Sequence, residues 1–226
     1  MRRTAGIAAV LLLAAIGLAL FLRESGGLRE AAPPRPPNLS RFDAAFDRQL
    51  AQLEGVPAFR AQLAGLPRKE LRQAIQSFAA KGMRRLPDDR LLARTRIVGR
   101  MLEGLDVETC SAMATGRQNE AVHDAALLVL DPDSLDAWVV LSFEAARAEL
   151  EKQPASRPTP QELQLSLDVL FKAVPEADSG RLRAALSSLA SQPPAEACWA
   201  ARTTYAAVPG LPAPVARVLA RELAGP

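Results

Sequence analysis

The segment Thr159–Val174, TPQELQLSLDVLFKAV, shows most clearly the pattern that decides the fold of this chain. Thr159 suits the N-cap of a helix, Pro160 suits its first position, and Glu162 completes a capping box. The apolar residues that follow recur at the spacing of one helical face: Leu163, Leu167, Leu170 and Val174. The segment therefore predicts an amphipathic α-helix with a defined start.

Similar segments follow one another from Leu39 to the C-terminus and are separated by prolines and glycines. Side chains suited to cap further helices precede the apolar stripes: Ser40, Asp106, Asn119, and Asp133 or Ser134. No stretch shows the sustained period-two alternation of β-branched residues that is typical of strands. We therefore predict an all-α domain over residues 39–226 with nine to eleven short helices, for which stacked helical hairpins are one arrangement.

One part of this domain resembles a known repeat. Residues Ala121–Ala146 resemble a helix–turn–helix junction of the tetratricopeptide repeat. Leu128–Asp133 is similar to the turn that ends the first helix, and Ala137, Trp138 and Leu141 are similar to the start of the second. The match covers about 25 residues, and no second copy follows at the repeat's 34-residue period. The resemblance implies paired helices, as in peptide-binding scaffolds.

An unbroken apolar run, Ala5–Leu22, precedes the domain and follows Arg2 and Arg3. Its 18 residues would span about 27 Å as a helix, close to the roughly 30 Å of hydrocarbon in a bilayer. The basic flank favours an N-terminus in the cytoplasm. We predict a cytoplasmic segment at 1–4 and a transmembrane signal-anchor helix at 5–22. The alternative is a cleaved signal peptide, which normally has a shorter apolar core and a small-residue cleavage site behind it.

The segment between the anchor and the domain, residues 23–38, contains two glycines and a cluster of prolines. Prolines favour an extended polyproline II conformation, so we predict a linker that spaces the domain from the membrane. Lysines account for four of the 28 basic residues, and alanine and proline are frequent, which suggests a GC-rich bacterial genome. The predicted location is therefore the bacterial inner membrane, as a single-pass protein with its C-terminal domain in the periplasm.

Charge is unevenly distributed along the chain. Residues 35–105 carry 14 basic and 7 acidic side chains, whereas residues 106–180 carry 5 basic and 14 acidic ones. Either these two halves fold against each other with complementary faces, or the basic half contacts anionic lipid headgroups. The basic half has few aromatic residues and no recognisable nucleic-acid module, so we expect no nucleic-acid partner.

The chain has two cysteines, Cys110 and Cys198. Cysteines in an exported domain usually form a disulfide bond, so we predict that these two pair. Free thiols and a redox role are the alternatives. The redox role lacks a Cys-x-x-Cys motif, in which the second thiol would resolve a mixed disulfide.

Other residue types give no catalytic or ligand-binding motif. His123 is the one histidine of the chain, and no Gly-x-Ser-x-Gly elbow accompanies it, so we expect a surface or boundary residue. Three neighbouring acids resemble the start of a calcium loop but lack its glycine and terminal glutamate: Asp131, Asp133 and Asp136. We predict no catalytic residue, no metal site, no cofactor and no small-molecule ligand.

Three of the few aromatic residues are candidates for a partner groove: Trp138, Trp199 and Tyr205. The spacing around Trp138 predicts a core position, and Trp199 is expected to pack near the disulfide because it follows Cys198. Together, these observations lead us to expect a non-catalytic domain that binds or scaffolds a protein of the cell envelope. The alternatives are a helical hydrolase acting on peptidoglycan or lipid, and a membrane-tethered folding helper for an exported protein.

Overall fold

The computed structural model describes residues 35–117 and 119–225, and these residues form an all-helical domain, as the sequence predicts. The eleven α-helices are α1 Pro37–Leu53, α2 Pro57–Leu63, α3 Arg68–Gly82, α4 Asp88–Gly104, α5 Val107–Ala114, α6 Glu120–Leu128, α7 Pro132–Leu150, α8 Pro160–Ala173, α9 Glu176–Ser187, α10 Pro194–Ala207 and α11 Ala213–Glu222. Within the described ranges, no helix combines the length and the apolar character needed to cross a membrane. The predicted anchor at 5–22, the segment 1–4 and the linker up to residue 34 lie outside the described residues.

Local capping interactions start several helices where the sequence predicts them. The Asp106 carboxylate accepts a hydrogen bond from the Thr109 backbone N–H at 3.0 Å, and the Asn119 side chain caps α6 in the same way. Thr159 and Glu162 form the complete capping box of α8. These side chains satisfy backbone donors that have no partner inside the helix.

Two predicted helix starts are wrong, and proline is the reason in both. Helix α1 begins at Pro37 without a side-chain cap, so Ser40 lies inside its first turn. Helix α7 begins at Pro132, and its N-cap is Asp131 rather than Asp133 or Ser134. Proline has the φ angle of a first helical residue and lacks the N–H that would need a partner there.

The N-terminal end of α1 belongs to the folded domain, although the sequence analysis assigns it to the linker. The Asn38 side-chain amide donates a hydrogen bond to the Leu130 carbonyl at 2.8 Å, at the turn between α6 and α7. Helix α1 therefore starts two residues before the predicted domain boundary at Leu39.

Helix α7 forms the centre of the main hydrophobic core and packs extensively against α3 and α1. Its alanines Ala145 and Ala146 are fully buried. At Gly82, the last residue of α3, an added Cβ would lie 1.8 Å from the Ala145 carbonyl oxygen. The backbones of α3 and α7 therefore meet directly, and glycine is required at this crossing.

The junction that resembles a tetratricopeptide repeat does not form a packed helix pair. Helix α6 packs against α1, α4 and α5, while α7 packs mainly against α3 and α1. The fold is therefore not a regular stack of sequential hairpins, because its most extensive contacts join helices that are distant in the chain.

The C-terminal helices complete the domain with two smaller hydrophobic clusters. One is built around Phe171, Leu182 and Ala200, and the other around Leu170 and Val208. Helix α10 packs against α5 and α4, and α11 packs against α4 and α8. The C-terminal part of the chain is thereby attached along the side of the main core.

Cys110 of α5 and Cys198 of α10 form a disulfide across this contact, with the sulfur atoms 2.03 Å apart. The two residues are separated by 88 positions in the chain, and both are almost completely buried. The structure thus brings together the pair that the sequence analysis predicts.

Ion pairs join the basic half of the chain to the acidic half, which agrees with the interpretation of complementary faces. The most buried of them joins the Arg85 guanidinium to the Glu149 carboxylate at 2.6 Å. More exposed pairs with the same polarity are Arg41–Asp136, Arg90–Glu144 and Arg100–Asp131. Each exposed pair contributes little to stability on its own.

Replacing Gly82 with alanine should destabilise the domain, because the added methyl group would overlap the α7 backbone. We expect Gly82→Ala to lower the free energy of unfolding by about 3 kcal/mol. Gly180→Ala is the matched control, since its added Cβ meets no atom within 4 Å. The control should raise stability by about 0.4–1 kcal/mol. Equal effects of the two substitutions in urea unfolding would contradict the close crossing.

Removing the disulfide should lower the free energy of unfolding substantially, because the crosslink restricts the unfolded chain. For a separation of 88 residues, the chain-entropy relation gives about 4–5 kcal/mol. Urea unfolding of the double variant Cys110→Ala/Cys198→Ala measures this loss. Thiol labelling of protein denatured without reductant should find no reactive thiol, and two labelled thiols per chain would disprove the bond.

Candidate functional site

A cavity of about 750 Å³ opens between α3 and α6, and we call it the α3–α6 cavity. Side chains of α1, α4, α5 and α7 form the rest of its wall, and Ala224 and Gly225 close one part of it. The volume lies within the range of roughly 300–1,000 Å³ that is usual for ligand pockets. The cavity therefore has the size of a binding site.

The floor of the cavity is apolar and rich in aromatic rings. Phe42 and Phe46 of α1 and Phe143 of α7 are all buried, and the Phe46 and Phe143 rings meet edge to face at 5.0 Å. All the methionines of the described residues line the cavity as well: Met83, Met101 and Met113. Methionine side chains are flexible and polarisable, so such a floor can adapt to differently shaped apolar groups.

The two rims differ in charge. The rim on α3 is formed by residues on one face of the helix and by the adjacent basic residues: Lys69, Arg72, Gln73, Gln76, Ala80 and Lys81. The rim on α6 carries Asn119, Glu120, His123 and Asp124. One side of the opening is thus basic and the other is mainly acidic.

The Phe42 ring lies between two charged or polar groups from opposite rims. The Arg72 guanidinium is 5.6 Å from the Phe42 ring centroid, and the His123 ring meets Phe42 edge to face at 5.8 Å. Arg72 also forms an ion pair with the Asp43 carboxylate. These contacts hold α1, α3 and α6 together at one end of the cavity.

His123 is partly buried at the rim, with 30% of its side chain exposed. Burial lowers the pKa of His123, an effect that the neighbouring Asp124 carboxylate partly opposes. The Nδ1 atom lies 3.7 Å from an Asp124 carboxylate oxygen. The imidazole is therefore expected to be neutral at pH 7, when it can both donate and accept a hydrogen bond.

The remaining polar groups do not converge on a reacting centre. The Ser142 hydroxyl, which also lines the cavity, donates a hydrogen bond to the Trp138 carbonyl at 2.9 Å. In the part of the chain that the structure describes, no group of three or more His, Cys, Asp or Glu residues could hold a metal ion. The His123–Asp124 pair resembles part of a catalytic arrangement.

Two of the three acids that resemble the start of a calcium loop, Asp131 and Asp136, take part in capping and ion pairs. The Ser134 hydroxyl and backbone N–H donate to the Asp131 carboxylate and, with Arg100 nearby, lower the pKa of Asp131 to about 2. Asp136 forms an ion pair with Arg41 at 2.7 Å. These carboxylates therefore stabilise the start of α7 and its contact with α1.

The structure does not bring the three predicted groove residues together. Trp138 lines the α3–α6 cavity, whereas Trp199 and Tyr205 on α10 lie outside its lining. Trp199 packs in the cluster around Phe171, and the Arg181 guanidinium stacks on its ring at 3.8 Å. Cys198 packs in the main core and Trp199 in this smaller cluster, because successive helical residues point about 100° apart.

Sequence reasoning missed most of the lining, although two signals were present. The methionines at 83, 101 and 113 are scattered in sequence but share the cavity. Lys69 and Lys81 are two of the four lysines in a chain that otherwise uses arginine, and both lie at its α3 rim. The sequence contains both features, but only the three-dimensional arrangement of the helices shows that these residues share one cavity.

Comparisons with known proteins provide no further guide to the site. No protein-family model matches this chain, and neither the search of characterised proteins nor the search of solved structures gives a significant match.

The lowered pKa of His123 predicts a pH effect on stability. The ordinary pKa of a histidine is about 6.5. At pH values near and below about 6.5, the unfolded chain therefore binds a proton at His123 more readily than the folded chain does. The free energy of unfolding should therefore fall as the pH drops through this range, with Asp124 and Glu120 opposing the effect and Arg72 adding to it. His123→Gln should show a smaller fall between about pH 7.5 and 5.5 in urea unfolding. The same fall in both proteins would contradict the burial effect.

Proposed function

We propose that this chain is a non-catalytic, membrane-anchored binding protein whose helical domain lies in the bacterial periplasm. In this proposal, the α3–α6 cavity holds an apolar segment of another envelope protein. The observation that carries the proposal is the cavity itself, an open space with an aromatic and methionine-rich floor inside a domain held by a disulfide. Concave sites with an apolar and aromatic lining and a few polar groups are typical of ligand-binding sites in proteins.

The length of the cavity supports a polypeptide as its occupant. Its lining follows α3 and the turn directly after it, from Lys69 to Met83, which corresponds to about 21 Å along the helix axis. A helix of about four turns has this length, and an amphipathic helix in an apolar groove is a common mode of peptide recognition. Gln73 and Gln76 at the rim carry both donors and acceptors, so they suit polar groups at the edge of such a helix.

The proposed location is supported by the sequence of the N-terminal part and by the cysteines. Ala5–Leu22 has the length and apolar character of a membrane anchor, and basic residues precede it. The disulfide between Cys110 and Cys198 suits an oxidising compartment such as the periplasm. The two arguments are independent, since one concerns the anchor and the other the folded domain.

A hydrolase acting on peptidoglycan or lipid is the second candidate. It is favoured by the position of His123 and Asp124 side by side at the rim of the cavity. The Ser142 hydroxyl of the lining is not paired with His123 in the structure, because it donates to a backbone carbonyl of its own helix. The apolar floor also suits a stably held apolar chain better than a polar glycan.

Site-specific photocrosslinking in membranes tests the binding function. A photoreactive amino acid at Gln76, which lines the cavity, should form an adduct with an envelope protein through an apolar segment identified by mass spectrometry. The same residue at Gln164, an exposed position of α8 outside the lining, is the matched control and should give no such adduct. Equal adducts at both positions, or none at Gln76, would count against the proposal.

A further inference from the structure

We infer that the segment held in the α3–α6 cavity is an amphipathic helix with acidic residues along the edge that faces α3. Lys69 and Lys81 would recognise these carboxylates. This inference rests on the proposed function, because it specifies the chemistry of the occupant rather than the existence of the site. The inference is based on the basic side chains around the opening that form no ion pair among the described residues of the domain.

Two of the four strongly basic side chains of the lining are used within the domain. Arg72 forms an ion pair with Asp43 and stacks on Phe42. Arg94 donates a hydrogen bond to the Leu223 carbonyl at 2.8 Å. Both guanidinium groups therefore contribute to the wall itself and are less available to an occupant.

The other two basic side chains, Lys69 and Lys81, remain available. Both are exposed at the α3 rim, and no carboxylate of the described residues lies within ion-pair distance of either ammonium group. They stand 12 positions apart on α3, which corresponds to about 18 Å along its axis. Twelve positions also turn Lys81 about 120° around the helix axis from Lys69. Both side chains nevertheless line the opening, so an acidic helix lying along α3 could meet one lysine near each end.

The acidic rim on α6 determines which edge of the occupant faces α3. Glu120 and Asp124 on α6 would repel an acidic edge and favour a neutral or basic one. An occupant with acids on one edge therefore has one favourable orientation across the opening. The part-exposed apolar residues of the lining, such as Met113 and Trp138, would contact the hydrophobic face of the same helix.

Synthetic peptides test this inference on the full-length protein in lipid nanodiscs. Three 16-residue helical peptides would share one leucine face and carry glutamate, glutamine or lysine along one polar edge. The emission of Trp138, which lines the cavity, reports binding in a Trp199→Phe background, with empty nanodiscs as the blank. We expect the glutamate peptide to bind about three- to tenfold more tightly than the glutamine peptide, and this margin to shrink in high salt.

Two charge variants separate local recognition from a general electrostatic effect. Lys69→Gln/Lys81→Gln should abolish the preference for the glutamate peptide. Lys172→Gln/Arg217→Gln removes the same net charge outside the cavity and should preserve the preference. Urea unfolding of each variant establishes that it is folded before binding is measured.

The outcomes distinguish this inference from the proposed function. If the glutamate and glutamine peptides bind equally well, the inference is wrong although the binding function stands. If no peptide changes the Trp138 emission, the proposed function fails as well. If dodecanoate binds with the same dependence on Lys69 and Lys81 while the peptides do not, the cavity holds a lipid-like anion and both statements are overturned.

Discussion

The close crossing of α3 and α7 at Gly82 is the constraint on which the rest of the domain depends. With the backbones in direct contact, α3 cannot shift toward α7 or move away without losing the core around Ala145 and Ala146. This fixes one face of α3 inside the core and leaves its other face, from Lys69 to Ala80, as a wall. The position of the α3–α6 cavity follows from this packing.

The opposite wall is held by different contacts. Helix α6 packs against α1, α4 and α5, and the Asn38 amide binds carbonyl groups at its C-terminal end. The disulfide then joins α5 to α10, so the elements behind α6 are also held in place. Because the walls are fixed by separate interactions, the opening between them is formed before any occupant arrives. A preformed site lowers the entropy cost of binding.

The sequence predicts the local features of this fold well and the long-range features poorly. Asp106, Asn119 and Thr159 cap their helices as expected, because a cap involves groups a few residues apart. The disulfide could be anticipated from the cysteine count and the inferred compartment. The crossing at Gly82 could not, since a glycine near the end of a helix also has the ordinary interpretation of a helix stop.

The site itself was the least predictable part. A period of 3.6 residues identifies the buried face of each helix, but it does not specify which helix will cover that face. Trp199 follows Cys198 in the chain, yet it belongs to a different cluster and lies beneath Arg181. The lining of the cavity comes from six helices, so its composition depends on tertiary packing rather than on any local motif.

The central claim is that fixed walls hold an apolar cavity open in the folded domain. The most direct test is the distance between spin labels on the two walls, placed at Ser77 of α3 and Ala121 of α6 in nanodiscs. Both positions are exposed, and the native cysteines are buried in their disulfide and should not react. We predict one narrow distance distribution at the separation seen in the structure, unchanged by an added apolar peptide. A broad distribution, or one shifted to shorter distances, would show that the walls collapse and would contradict the claim.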